Sequence, residues 1–289
     1  MLKQIFNSIL LSAFVLFQFS SCNNSSTENK TVNVDSSLAD SNRIDSLSAE
    51  KKQSIEFKFS MTEANLPSPF EIVNDIYSYK APFKVELLNP SSNVGNYISS
   101  FKQEINYGVY SIDLSYINFY GQNQELLNYY SATKKIAKEL NINQAFDLFA
   151  NRFSQNSSNK DSVIALIDHA FAETDNYLKK NERYLAASHV LAGALIEINY
   201  LSLNLIRDVP KTAENQKLFD KVYNQKLYIY HLINLYKEYT DKDSKDLMSS
   251  LEKLKKSYDD LIKSTDDYTP ETIDKTIAMF KVVRDKLIK

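Results

Sequence analysis

The chain has little glycine, a single cysteine and no tryptophan: its 289 residues include four glycines and one cysteine, Cys22. Four widely spaced glycines cannot form a dinucleotide-binding fingerprint or a phosphate-binding loop, so the Rossmann and P-loop enzyme classes are excluded. Cys22 has no second cysteine with which to form an intrachain disulfide. A net charge of −2 and an isoelectric point near 6.0 lack the basic footprint of nucleic-acid-binding proteins, so nucleic acid is not expected as a partner.

Motifs that carry well-defined chemistry are also missing from the sequence. It contains no G-x-S-x-G nucleophile elbow, no C-x-x-C-H haem attachment and no pair of Glu-x-x-His sequences of the ferritin-like di-iron kind. Motifs therefore predict no catalytic residue, no metal ligand and no cofactor.

The N-terminal residues have the pattern of an export signal. Lys3 precedes an apolar run, which is followed by Ser20-Ser21-Cys22. A short apolar run that ends in small residues is typical of a cleaved signal rather than of a transmembrane helix. Small residues directly before a cysteine resemble the lipobox of bacterial lipoproteins, although Phe19 stands where that family prefers an aliphatic residue. The resemblance implies cleavage before Cys22 and diacylglycerol on its sulfur; an uncleaved anchor or an ordinary secretion signal is the alternative.

Composition divides the rest of the chain into two parts. From Asn23 to about Ser60 it is dominated by polar and charged residues, which bury too little apolar surface to offset the entropy of ordering. Only Ile55, Phe57 and Phe59 show a faint alternation of the kind seen in strands. We therefore predict a signal peptide at residues 1–21, a disordered tether at 22–60 and a helical domain at 61–289.

The helical domain is predicted from apolar residues that recur every three or four positions. The pattern indicates an all-α fold, an irregular bundle of about eight helices, in which Val94, Ile98 and Phe101 begin one apolar face. Gly121 interrupts the pattern, and a polar loop is expected at residues 154–161. Helix starts are expected at Pro69 after the capping residue Ser68, near Asn93, at Gln122, after Thr212, at Asp243 or Ser244, and after Thr269.

Residues Leu185–Ile206 form the least polar long segment after the N-terminus, and they predict the central helix of the bundle. The segment is long enough to cross a bilayer, but polar residues interrupt it, so we expect a helix that other helices bury. Four of its residues, His189, Gly193, Glu197 and Asn204, recur at near-helical spacing as a narrow polar stripe.

That stripe provides the main candidate site. If the preceding helix and the central helix form an antiparallel hairpin, Glu173 lies opposite His189 and His169 lies opposite Gly193. Two imidazoles and two carboxylates, with Glu197 as the second, would then be enough ligands for a transition metal. A hydrogen bond between His189 and Glu173 explains the same residues without a metal, and it is the interpretation that we prefer.

Asp113 and the tyrosines give weaker indications of a ligand pocket. Asp113 shares a helix face with Asn106, Tyr110 and Tyr120, where it could bind a ligand or simply accept a hydrogen bond. The 19 tyrosines form loose clusters that could line a groove for a glycan or peptide, or could seal the edge of the core. Asp113 therefore joins His169, Glu173, His189 and Glu197 as a pocket candidate.

Three segments resemble a known group of proteins: Leu66-Pro67-Ser68-Pro69, Leu88-Asn89-Pro90 and Asn106–Tyr116. They are similar to segments of uncharacterised all-helical lipoproteins of Bacteroidota. The resemblance implies a helical fold and a lipid-anchored position in the cell envelope, at the outer membrane, and it brings no assigned activity. We expect an interaction or ligand-binding module whose partners are the membrane and an envelope protein or small ligand. The alternative is a metal-dependent or other enzyme that uses the His/Glu stripe.

Overall fold

The computed structural model describes residues 48–64, 69–79, 81–143, 146, 169 and 172–289, and within these ranges it contains helices and no strand. The prediction of an all-α, multi-helix bundle is confirmed. The predicted signal peptide, Cys22 and the loop at 154–161 lie outside the described residues. The helices are α1 Ala49–Ala64, α2 Pro69–Ser78, α3 Ser100–Phe119, α4 Asn123–Glu139, α5 with described residues 172–180, α6 Tyr184–Ile206, α7 Gln216–Tyr236, α8 Lys242–Leu261 and α9 Pro270–Ile288.

The central helix of the sequence prediction is α6. Every residue of α6 except Tyr184 and Asn204 is buried. Among the described helices, α6 alone is long and apolar enough to cross a membrane, yet 94% of its most apolar window is buried inside the bundle. Its neighbours include α3, α7 and α9. Burial on several sides explains why apolar residues surround most of the helix axis.

Two glycines allow α3 and α6 to cross at close range. A Cβ atom added to Gly108 would lie 2.0 Å from the carbonyl oxygen of Val190, and one added to Gly193 would lie 2.0 Å from that of Ile105. Real side chains do not tolerate such distances, so each glycine admits the backbone of the opposite helix. This crossing fixes the positions of the polar residues on either side of it.

Helix α1 corrects the predicted extent of the tether. The sequence predicts a tether that continues to Ser60, whereas residues 49–60 belong to α1, which packs against α6 and α7. Ile55 and Phe59 are buried, and Phe57 is 65% exposed. This is the four-residue spacing of a helix and not the alternation of a strand. Helix α1 is also held by polar contacts, such as the hydrogen bond from Ser54 to Glu238 just after α7 at 3.2 Å, and composition alone does not reveal such contacts.

The start of α3 also differs from the prediction. A 3-10 turn occupies Ser91–Asn96, and α3 begins at Ser100 with Ser99 as its N-cap, rather than near Asn93. Ile98 is 88% exposed, so it was wrongly assigned to the apolar face. The interruption at Gly121, whose φ is +64°, is confirmed because α3 ends just before it.

The remaining helix starts agree with the sequence to within a few residues. Helix α2 begins at Pro69 as predicted. Helix α7 begins after Asn215 rather than after Thr212, and α8 begins after Asp241, whose carboxylate accepts the Ser244 N–H at 2.9 Å. Helix α9 follows the predicted cap, Thr269, with proline at its first position.

Candidate functional site

The polar stripe of α6 contributes to two buried clusters, and the first is centred on His189. Its Nδ1 atom lies 2.7 Å from Oε2 of Glu104 on α3, and its Nε2 atom lies 3.4 Å from Oγ of Ser244 on α8. The structure therefore joins three helices through one imidazole. We call Glu104, His189, Ser244 and the neighbouring Arg183 the His189 cluster.

Aromatic rings and a guanidinium complete the surroundings of the His189 cluster. The Phe101 ring meets the imidazole edge-on at 4.8 Å between centroids, and the Tyr236 ring stacks on it at 5.9 Å. Arg183 approaches Glu104 at 4.0 Å and donates to the carbonyl oxygen of Leu140 at 2.8 Å. Glu104 thus has an imidazole and a guanidinium as neighbours, which supports its carboxylate in the interior.

The order serine, histidine, carboxylate is that of a hydrolytic triad, but the position of Ser244 does not suit that chemistry. Ser244 is 0% exposed, so a substrate cannot reach its hydroxyl in this conformation. A separation of 3.4 Å to His189 is also long for a hydrogen bond that activates a nucleophile. The cluster instead pairs polar groups that the core has buried, as buried polar groups require.

The predicted partners of His189 and Gly193 are wrong. His189 binds Glu104 of α3 and not Glu173, and Gly193 faces the backbone of α3 and not His169. His169 and Glu173 face each other on one exposed surface, with Nε2 and Oε1 3.9 Å apart and with 53% and 43% of their side chains accessible. No group of three or more potential metal ligands occurs among the described residues, and the proposed quartet is not assembled.

The second cluster is centred on Glu197, and it lies on the other side of the glycine crossing. Arg284 of α9 donates to both carboxylate oxygens of Glu197, with Nη2 to Oε1 at 2.7 Å, and also donates to the carbonyl oxygen of Leu87 at 3.0 Å. Asp113 of α3 accepts the N–H of Asn89 through Oδ2 at 3.1 Å. We call Asp113, Glu197 and Arg284 the Glu197 cluster.

The Glu197 cluster lies almost completely out of reach of water. Glu197 and Asp113 are 0% exposed and Arg284 is 4% exposed. Burial raises the pKa of Asp113 well above its ordinary value, and the negative charge of Glu197 raises it further. Burial opposes the charge of Arg284, but Glu197 outweighs this effect and raises the pKa of the guanidinium. Arg284 and Glu197 therefore form a charged pair.

Amides and a phenol extend the Glu197 cluster to the end of the chain. The Nδ2 atom of Asn89 donates to the hydroxyl of Tyr97 at 2.8 Å and to Oδ1 of Asn106 at 3.1 Å. The Tyr97 hydroxyl then donates to the carbonyl oxygen of Ile288 at 3.0 Å, and Asn106 donates to that of Leu287 at 2.9 Å. Two of the open carbonyl groups at the C-terminal end of α9 thereby gain a donor.

Sequence reasoning identified His189, Glu197 and Asp113 but missed Glu104, Ser244 and Arg284. A signal was present for two of them. Glu104 follows Phe101 by three positions, and Arg284 lies four positions after Phe280, so both fall on apolar helix faces where a charge requires a buried partner. Ser244 had no such signal beyond its suitability as a helix cap.

Comparison with known proteins does not provide a relative. No protein-family model matches this chain, and no curated protein or solved structure matches it. The resemblance to Bacteroidota lipoproteins therefore stays a prediction. In the structure, the most specific of the similar segments, Asn106–Tyr116, lies on α3, where Asn106, Tyr110 and Asp113 are buried and hydrogen-bonded. This segment is part of the core.

Proposed function

We propose that the protein is a lipid-anchored lipoprotein of the cell envelope, at the outer membrane, whose helical domain is an interaction module. The observation that carries this proposal is the N-terminal sequence, in which a short apolar run ends in Ser20-Ser21-Cys22. An acylated Cys22 would hold the domain at a membrane surface, and more than one acyl chain would make that attachment stable.

The interior of the helical domain supports an interaction role rather than chemistry on the polar stripe. His189 is bonded to Glu104, and both oxygens of Glu197 accept from Arg284. These groups hold α3, α6 and α9 together, so each of them already has a partner inside the core. Recognition of a partner then falls to the surface of the domain.

An aromatic surface near the Gly121 turn is the best candidate for that recognition. Tyr79 is 40% exposed, and Tyr77 meets Tyr120 edge-on at 5.2 Å between ring centroids. Phe83 lies 5.6 Å from Tyr120, and Val85 is 48% exposed. We call these five residues the aromatic surface. Tyrosine combines a large apolar ring with a polar hydroxyl and is enriched at protein interfaces, so we propose an envelope protein as the partner.

The anchor is tested by changing its attachment residue. In the bacterial host, Cys22→Ala should abolish incorporation of a labelled fatty acid and should move the protein out of the membrane fraction. Cys22 is the only cysteine, so no other thiol can take over its role. A variant that remains with the membranes to the same extent as the natural protein would contradict the anchor.

The aromatic surface is tested by site-specific photocrosslinking in cells. A photoreactive residue at Tyr79 should yield a discrete crosslink to an envelope protein, whereas the same residue at Leu127, which is 60% exposed on α4, should not. Tyr77→Ser should weaken a crosslink formed from position 79 because it removes a neighbouring ring. Equal crosslinking from both positions, or none from position 79, would show that partner binding does not use this surface.

A further inference from the structure

The Glu197 cluster holds two carboxyl groups and one guanidinium in a region without access to water. Arg284 engages both oxygens of Glu197, which leaves Asp113 without a cation of its own. The carboxyl of Asp113 lies close enough to that of Glu197 for the negative charge of Glu197 to raise its pKa. Its Oδ1 atom is buried and receives no hydrogen bond from any donor in the described part of the chain. With one guanidinium for two buried carboxyl groups, ionisation of both would leave a negative charge buried without a counter-ion.

The other groups around Asp113 do not supply the missing charge. Burial raises the pKa of each nearby phenol, so these hydroxyls are neutral donors. Asn89 contributes a backbone N–H, which satisfies Oδ2 alone. The titratable groups that face Asp113 are Glu197 from α6, Arg284 from α9, Tyr129 from α4, Tyr97 from the segment before α3, and Tyr110 and Tyr116 from α3 itself.

We infer that Asp113 is a neutral carboxylic acid in the folded protein at neutral pH, and that it donates its proton from Oδ1 to Glu197. The proton then provides the hydrogen-bond donor that is otherwise missing between Asp113 and Glu197. Oδ1 becomes a donor to Glu197, and Oδ2 remains the acceptor for Asn89. One positive and one negative charge are left in the cluster, on Arg284 and Glu197, so the buried charges balance.

The Asp113 side chain also connects α3 to the segment that precedes it. Asp113 holds the N–H of Asn89, Arg284 holds the carbonyl oxygen of Leu87, and Tyr110 donates to the carbonyl oxygen of Pro90 at 2.8 Å. Loss of the proton would place a second buried negative charge beside Glu197. The segment at residues 87–90 and the end of α9 are the parts that would have to move to admit water.

The pH dependence follows from the raised pKa of Asp113. In the unfolded chain an aspartate ionises near pH 4, whereas in the folded protein Asp113 keeps its proton to a much higher pH. The stabilisation by this proton is complete below about pH 4, and it is lost as the pH rises towards the folded pKa. Each pH unit in that window shifts the unfolding equilibrium constant by up to about tenfold.

Infrared spectroscopy of the full chain tests the proton directly. At neutral pH the protein should show the C=O stretch of a protonated, buried carboxyl. Incorporation of ¹³C-aspartate should shift that band, and ¹³C-glutamate should not. Absence of the band, or a shift with glutamate labelling alone, would overturn the assignment without any substitution.

A pair of variants tests the stability consequence. In Asp113→Asn the amide can accept from Asn89 and donate to Glu197, as the neutral acid does. The infrared band should vanish, and the melting temperature should rise relative to the natural protein as the pH increases from about 5 to about 8. Asp260→Asn, at an exposed position of α8, should leave both unchanged. A constant difference at every pH, or a band that survives in Asp113→Asn, would refute the inference.

Discussion

The two buried clusters on α6 differ in how their charges are balanced. In the His189 cluster, one carboxylate, Glu104, is bonded to an imidazole and has a guanidinium 4.0 Å away. In the Glu197 cluster, two carboxyl groups lie near a single guanidinium, that of Arg284, which bonds Glu197 and not Asp113. If the contact with the imidazole is lost, the guanidinium of Arg183 remains near Glu104. The second cluster depends entirely on Arg284 and on a proton.

This difference shows that residues on one polar stripe need not contribute equally to the stability of the fold. A buried charge whose partner is removed costs far more than an uncharged hydrogen bond, because the remaining ion cannot recover its hydration. Glu197 and His189 occupy equivalent positions in the sequence pattern. Their contributions to stability differ because their partners differ. The predictions below separate the two clusters by removing one partner at a time.

Removal of Arg284 should have the largest effect. Arg284→Met keeps much of the side-chain volume but leaves the Glu197 carboxylate buried without a counter-ion. We expect the free energy of unfolding to fall by about 3 to 5 kcal/mol, measured by urea denaturation.

A matched control uses an arginine that binds a carboxylate at the surface. Arg207 also binds an acidic residue, Asp274, but at the surface, where 44% of its side chain is accessible. Arg207→Met should therefore cause no comparable loss, because water can solvate the carboxylate that remains. Similar losses in the two variants would mean that burial of the Glu197 cluster does not decide the cost of removing its arginine.

The sequence predicted which face of α6 carries polar groups. It did not predict which helices provide the partners of those groups. The period of apolar residues identifies a face, and it contains no information about the partner helix. His189 and Glu104 are 85 residues apart in the chain, and Glu197 and Arg284 are 87 apart. The predicted hairpin with α5 used the nearest helix in sequence. The close crossing at Gly108 and Gly193 instead brings α3 against α6.

The fold class was easier to predict from the sequence than the helix boundaries, for a physical reason. Helix periodicity is a local property, so the central helix and the starts at Pro69 and Thr269 could be predicted. Helix α1 could not, because its packing depends on two apolar side chains, Ile55 and Phe59, and on polar contacts with Glu238, which follows α7. A prediction from average composition does not distinguish such a helix from the polar residues that precede it.

Loss of the imidazole in the other cluster should have an intermediate effect. His189→Ala removes the 2.7 Å bond to Glu104 and the ring contacts with Phe101 and Tyr236. Arg183 remains near the carboxylate, so we expect a fall of about 1 to 3 kcal/mol in the free energy of unfolding. His169→Ala, at the exposed pair with Glu173, should change stability little. Equal effects of the two histidine variants would contradict the difference in burial.

The smallest effect is expected at Ser244, and it distinguishes a structural cluster from a catalytic one. Ser244→Ala removes a hydroxyl that lies 3.4 Å from Nε2 of His189, but it preserves the N–H that Asp241 accepts at the start of α8. Because the bond to His189 is long and the bond to Glu104 survives, we expect a loss of about 0.5 to 1 kcal/mol in urea denaturation. A loss as large as that of His189→Ala would show that Ser244 is the main partner of the imidazole.

Chemical labelling gives the same residue a second, independent test. The Ser244 hydroxyl is buried, so a serine-directed fluorophosphonate should not label it in the folded protein. An activated serine must present its oxygen to an electrophile, and burial prevents that contact whatever the basicity of the neighbouring imidazole. Stoichiometric labelling of the natural protein that is lost in Ser244→Ala would mean that the cluster opens and acts as a nucleophilic site. It would then be the His189 cluster, and not the aromatic surface, that carries the function.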